Sequence, residues 1–96
     1  MQQRAVISFA SGAILAILGS SVAEAASSQF CGQYARAAIV QVRLALSSPG
    51  CTRGLEGARW SADEHVHFDW CLGAAPVAAQ EERNARTGFL RMCRGR

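Results

Sequence analysis

Residues 59–71 read RWSADEHVHFDWC and carry the clearest local folding signals of the chain. Within them, Ser61-Ala62-Asp63-Glu64 has the pattern of a capping box, in which the Ser61 hydroxyl accepts from the Glu64 amide and the Glu64 carboxylate reaches back. A helix is therefore predicted over residues 62–72, ahead of a glycine that favours its end. Cys71 lies in the last turn of this helix, where a disulfide would fix the helix to another element.

The same segment contains most of the side chains that could bind a metal or take part in catalysis. Helical spacing divides them between two stripes, namely Trp60, Asp63, His67, Trp70 and Cys71 on one side and His65 with Asp69 on the other. The favoured interpretation is structural: Asp63 accepts a hydrogen bond from His67 or from first-turn amides and holds the helix against the core. Aspartate and histidine four residues apart are common in such a role, so they do not by themselves indicate a functional site.

A metal site is the alternative interpretation of these residues. Each stripe offers one carboxylate and one imidazole at i,i+4 spacing, and the weak candidate ligands are Asp63, His65, His67 and Asp69. No HExxH pattern supports such a site, and no Cys-x-x-Cys pattern supports redox catalysis. No serine or cysteine is marked as a nucleophile beside a base, so we expect neither an enzyme nor a cofactor.

Two further helices flank this segment. The first is predicted over about residues 28–46, with one apolar stripe formed by Cys31, Ala35, Ala38, Val42 and Ala45. It ends before Pro49-Gly50, and a glycine-punctuated loop follows. The third helix is predicted over about residues 76–93, with a shared face of Ala78, Ala85, Phe89, Met92 and Cys93 and an i,i+4 pair of Glu82 and Arg86. Three such helices without strand alternation predict an all-α, up-down-up three-helix bundle.

The N-terminus has the pattern of an export leader. Arg4 precedes the apolar run 5–18, and Ala23-Glu24-Ala25 has the small-x-small cleavage pattern. An uncleaved anchor over residues 5–22 is the alternative, since that length approaches the lower limit of a membrane span. We expect residues 1–25 to be a cleaved signal peptide and residues 26–96 to be one domain, periplasmic or secreted, with no stable membrane anchor.

The four cysteines are spaced almost evenly through this domain, at Cys31, Cys51, Cys71 and Cys93. A domain this short gains little stability from apolar burial alone, so an exported chain with an even number of cysteines is expected to form disulfides. Four cysteines allow three connectivities. An antiparallel bundle places Cys31 with Cys71 at one end and Cys51 with Cys93 at the other, and these pairs are predicted. Cys31–Cys93 with Cys51–Cys71 is the alternative.

A resemblance covers essentially all of residues 26–96. Its residues are Cys31-x2-Tyr34-Ala35, Cys51-x2-Gly54, Gly57-x-Arg59-Trp60-x2-Asp63-x3-His67-x2-Trp70-Cys71 and Cys93. This pattern resembles a small exported four-cysteine module of bacterial proteins. The resemblance implies a shared compact fold and no particular activity.

Charge gives a weaker indication of function. The net charge is +3, and all ten basic residues are arginine, whose planar guanidinium suits carboxylate and phosphate groups. No arginine-rich run alternates with aromatics, so nucleic-acid binding is not expected. The sequence predicts an exported helical binding module of the bacterial envelope, whose partner is an envelope protein or an anionic polymer. The predicted contact residues are Tyr34, Arg53, Arg59 and Trp60.

Two other functions remain open from the sequence. A cationic membrane-active peptide would need a helix with a wide apolar face opposite its arginines. A periplasmic metal-binding protein would use His65 and His67.

Overall fold

The computed structural model describes residues 24–95, which form an all-α fold without a β-strand. Three helices and two short 3-10 turns follow one another along the chain: α1 (Ser28–Leu46), turns Pro49–Cys51 and Ala58–Trp60, α2 (Glu64–Leu72) and α3 (Pro76–Cys93). The predicted three-helix architecture is thereby confirmed. Of the predicted signal peptide, only Glu24 and Ala25 fall within the described residues.

Helix α1 is the central element, because it packs against both other helices while α2 and α3 have few contacts with each other. The Ser27 hydroxyl accepts from the Phe30 amide at its start. Its buried face matches the predicted stripe and adds two larger side chains, Tyr34 and Ile39. The buried residues are Cys31, Tyr34, Ala35, Ala38, Ile39, Val42 and Ala45. The alanines on this face let the neighbouring helices approach α1 closely, and a gap is left between α2 and α3.

The start of α2 differs from the prediction. The helix begins at Glu64, and its N-cap is Asp63, whose Oδ1 accepts from the His65 amide at 2.9 Å. The Ser61 hydroxyl accepts from the Asp63 amide at 3.0 Å, which makes a turn before the helix in place of the predicted capping box. Aspartate is as good an N-cap as serine, and the cap nearer to the helix prevails here.

Helix α3 has the predicted bounds but a different buried face. Its buried residues are Ala79, Arg86, Leu90 and Cys93. The predicted inward position of Met92 is wrong, since its side chain is 69 % exposed. The predicted pair of Glu82 with Arg86 is also wrong, because Glu82 pairs with Arg59 of the preceding turn and Arg86 points inward.

Both predicted disulfides are present, Cys31–Cys71 with a Cα–Cα distance of 5.5 Å and Cys51–Cys93 with 5.0 Å. Each lies in its own hydrophobic cluster. One cluster is made of Ala26, Cys31, Tyr34, Cys71 and Ala79, and the other of Val42, Ala45, Cys51, Trp60, Leu90 and Cys93. Since α1 is about 28 Å long and connects the two clusters, one disulfide stabilises each end of the domain. Two buried disulfides indicate an oxidising compartment.

The loop between α1 and α2 is held by the second cluster. Gly54 has a φ of +84°, and a Cβ added there would lie 3.5 Å from the Phe89 ring. That ring packs on Trp60 with centroids 4.9 Å apart. A positive φ at Gly54 is therefore needed to bring the chain over Phe89 and back toward α2.

Candidate functional site: a cleft between α2 and α3

A cleft of about 250 Å³ opens where α2 and α3 separate. Its lining comes from all three helices and the second 3-10 turn, and consists of Tyr34, Ala58, Arg59, Val66, His67, Trp70, Glu82 and Arg86. Helix α1 supplies Tyr34 behind the gap, α2 supplies one wall and α3 the other. The cleft therefore exists because both outer helices pack on α1 rather than on each other.

Arg86 is the most unusual residue of this cleft, because its charged side chain is only 1 % exposed. Its Nε donates to Gln41 Oε1 at 2.7 Å, its Nη2 to the Tyr34 hydroxyl at 3.0 Å and its Nη1 to the Arg59 carbonyl at 3.4 Å. Within residues 24–95 no carboxylate lies within ion-pair distance of it. Burying a cation without a counter-ion costs several kcal/mol, and neutral acceptors recover only part of that cost.

A second arginine lies in the cleft with its charge already compensated. Arg59 Nε and Nη2 donate to the two carboxylate oxygens of Glu82, each at 2.9 Å, in a bidentate pair. Hydrogen bonding from Arg59 holds the pKa of Glu82 below its ordinary value, and Glu82 raises the pKa of Arg59 in turn. The charge of Arg86 also contributes to the lowered pKa of Glu82. Because Arg59 and Glu82 form a formally neutral pair, Arg86 leaves the cleft lining with one net positive charge.

Aromatic rings flank this charge. The rings of Tyr34 and Trp70 lie with centroids 5.7 Å apart and tilted by 39°. The Arg86 guanidinium carbon lies 5.2 Å from the Tyr34 ring centroid, within the range of a cation–π contact. Trp70 is 44 % exposed although it is a large apolar side chain, so a flat wall open to solvent stands next to a buried cation.

The four predicted contact residues lie in different parts of the structure. Trp60 and Tyr34 are 8 % and 6 % exposed, so both are largely buried. Trp60 packs in the cluster around Cys51–Cys93, and Tyr34 packs in the cluster around Cys31–Cys71 and lines the cleft. Arg53 is exposed but does not line the cleft. Of the four predicted residues, the cleft brings together Tyr34 and Arg59.

The sequence pattern does not indicate that Arg86 is buried or that Trp70 is exposed in a cleft. The i,i+4 spacing predicts a pair of Arg86 with Glu82, and arginine is rarely buried in folded proteins. The one signal that places it inside is periodicity: Ala79, Arg86, Leu90 and Cys93 fall on one helical stripe, and three of these residues are apolar.

The metal candidates are divided rather than brought together. His67 is buried, with its Nε2 2.8 Å from the Ser61 carbonyl oxygen, and the Asp63 carboxylate is occupied by the His65 amide. This confirms that Asp63 caps first-turn amides. His65 and Asp69 are exposed. Over residues 24–95 no three histidine, cysteine, aspartate or glutamate side chains converge into a metal-binding group.

Neither a protein-family model, nor a curated protein, nor a solved structure matches this chain. The resemblance to a four-cysteine module therefore stays a prediction. In the described part of the chain, no helix has the length and apolar character needed to cross a membrane.

Proposed function

We propose that this protein is an exported binding module of the bacterial envelope that holds its partner in the cleft between α2 and α3. The observation that carries the proposal is Arg86, a buried cation at the wall of an open cleft that has no carboxylate partner among residues 24–95. Folded domains rarely keep such a charge, and where they do it is often part of a binding or catalytic site. A preformed concave site in which polar groups converge beside aromatic and apolar side chains is typical of ligand binding.

Binding is favoured over catalysis by the chemistry of the cleft lining. The one hydroxyl group among the lining residues that the structure describes belongs to Tyr34, and its oxygen accepts a hydrogen bond from Arg86. His67 is held by the Ser61 carbonyl, and the four cysteines are all in disulfides. A nucleophile activated by a neighbouring base, which catalysis of acyl or phosphoryl transfer requires, is not assembled among the described lining residues.

Binding is also favoured over membrane activity. A membrane-active helix presents its apolar face to lipid. The apolar stripe of α1 is instead buried against the other two helices, and its cysteine is tied to α2 by a disulfide. Together with the leader pattern, the two disulfides favour the periplasm or the exterior as the compartment, and an envelope protein or an anionic polymer as the partner.

The proposal is tested by affinity capture from envelope extract with the oxidised domain as bait. Trp70→Ala removes the exposed wall of the cleft, and Met92→Ala is the matched control because Met92 is even more exposed and does not line the cleft. We expect partners retained by the native domain to be lost with Trp70→Ala and kept with Met92→Ala. Equal retention by both variants, with both folded by circular dichroism, would place the binding surface elsewhere.

A further inference from the structure

Resting on the proposed binding function, we propose that the group held in the cleft is a carboxylate attached to an apolar or aromatic body. Arg86 binds the carboxylate, and the body lies against Trp70. The inference follows from the net charge of the cleft, from the two Arg86 N–H groups that have no acceptor among the described residues, and from the shape of the cleft.

The charge of the cleft fits a monoanion. Arg59 and Glu82 neutralise each other through two hydrogen bonds, which leaves the single charge of Arg86. A carboxylate carries one negative charge and compensates it. A phosphomonoester carries about −1.5 to −2 at neutral pH, so it would leave excess negative charge next to the Glu82 carboxylate.

The donors of Arg86 fit the same group. A guanidinium has five N–H groups, and three of those of Arg86 donate to acceptors within the described part of the protein. A carboxylate accepts two N–H groups from one guanidinium in a planar fork. Because Gln41 and Tyr34 already fix the guanidinium through hydrogen bonds, little side-chain entropy is lost when an anion binds.

The walls determine what the carboxylate is attached to. Trp70 and Val66 stand on α2 beside the cleft and are 44 % and 36 % exposed, so both have apolar surface to cover. The volume of about 250 Å³ is slightly below the usual range for sites of drug-sized ligands, about 300–1,000 Å³. A ring or short aliphatic group with one carboxylate fits this space, whereas a large cofactor does not.

The test uses the native oxidised domain and benzoate as the probe, with benzamide as a neutral control of nearly the same shape. The chain has two tryptophans, one in the cleft and one in the core, so their indole N–H signals in a ¹H–¹⁵N spectrum provide a reporter and an internal control. We expect benzoate to shift the Trp70 signal in a saturable manner, to leave Trp60 in place, and to be much more effective than benzamide or inorganic phosphate.

Two arginine variants of α3 complete the test. We expect Arg86→Gln to weaken benzoate binding by about 10- to 100-fold, the loss for a charge-assisted hydrogen bond. Arg91→Gln makes the same change of charge on the exposed side of α3 and should leave the affinity within about twofold. If Arg86→Gln does not fold, the comparison of benzoate with benzamide on the native domain still tests whether the cleft binds a carboxylate.

Each outcome has a defined meaning. Equal shifts of Trp70 by benzoate and benzamide would overturn the carboxylate inference but leave the cleft as a binding site. A stronger response to phosphate would also overturn it. No response to any probe would overturn it too, while the capture experiment with Trp70→Ala would still test the binding function. A peptide ending in phenylalanine, compared with its amide, distinguishes a chain end from a free small acid as the source of the carboxylate.

Discussion

Arg86 connects three parts of the fold through its guanidinium. It lies on α3 and donates to Gln41 and Tyr34 on α1 and to Arg59 in the second 3-10 turn. A lone arginine in a sequence gives no indication of such a role, because its partners are 27 to 52 residues away along the chain. Only the apolar neighbours on its helical stripe indicate that it is buried. The buried stripe of α3 is therefore harder to predict than that of α1, because it contains a charged residue.

Tyr34→Phe tests how much this hydrogen-bond network contributes to stability. The substitution keeps the ring and removes the hydroxyl that accepts from Arg86, so a buried charged donor loses its partner. We expect the free energy of unfolding to fall by about 1.5–3 kcal/mol, measured by urea denaturation. Thr87→Val removes an exposed hydroxyl that bonds Gln41 and should cost under about 0.5 kcal/mol. Equal small effects would show that the Tyr34 hydroxyl does not hold Arg86 in solution.

Glu82→Gln tests the ion pair with Arg59. Since Arg59 holds the pKa of Glu82 below its usual 4.5, the pair stabilises the folded state above that value, and the stabilisation is lost as the pH falls through the lower folded-state pKa. Both side chains are partly exposed, so the difference between native protein and variant at neutral pH should stay under about 1 kcal/mol. Urea denaturation across the acid range measures it. A difference that grows on acidification would have the wrong sign for this pair.

At the scale of the element, the bounds of α1 and α3 were predictable and the start of α2 was not. Local signals fix the end of α1 and the start of α3, since Pro49 follows α1 and Pro76 opens α3. Two residues that can act as N-caps, Ser61 and Asp63, precede α2, and the sequence does not show which of them is used. The choice follows from the 3-10 turn that ends at Trp60 and from the bond between His67 and the Ser61 carbonyl, both of which depend on the tertiary fold.

Asp63→Ala therefore distinguishes the observed cap from the predicted capping box. We expect it to reduce the free energy of unfolding by about 1 kcal/mol, because the His65 amide loses its acceptor. Glu64→Ala should cost much less, since Glu64 is the first helical residue and is not the cap. Thermal or urea denaturation of both variants gives the comparison. A larger loss of unfolding free energy for Glu64→Ala than for Asp63→Ala would instead support the predicted capping box.

At the scale of the whole molecule, the domain has two small hydrophobic clusters and a cleft lined by residues of all three helices. Each cluster contains one disulfide, and the polar group of Arg86, Gln41 and Tyr34 lies along the middle of α1. The cysteine pairing followed from the sequence because helix length and antiparallel order fix which cysteines share an end. The cleft did not, since it depends on how far α2 stands from α3, a distance that no local pattern encodes.

This arrangement gives the two disulfides similar effects on stability but different effects on the cleft. Their sequence separations are 40 and 42, so removing either pair by serine substitution should cost about 4 kcal/mol in the chain-entropy account. Cys31–Cys71 alone ties α2, and with it Trp70, to α1. We expect only the Cys31→Ser/Cys71→Ser variant to move the Trp70 indole N–H signal of the folded population, whereas Cys51→Ser/Cys93→Ser should move that of Trp60, which shares its cluster. If each variant disturbs both tryptophans equally, the two ends are not independent, and the cleft is held by the fold as a whole rather than by its nearer disulfide.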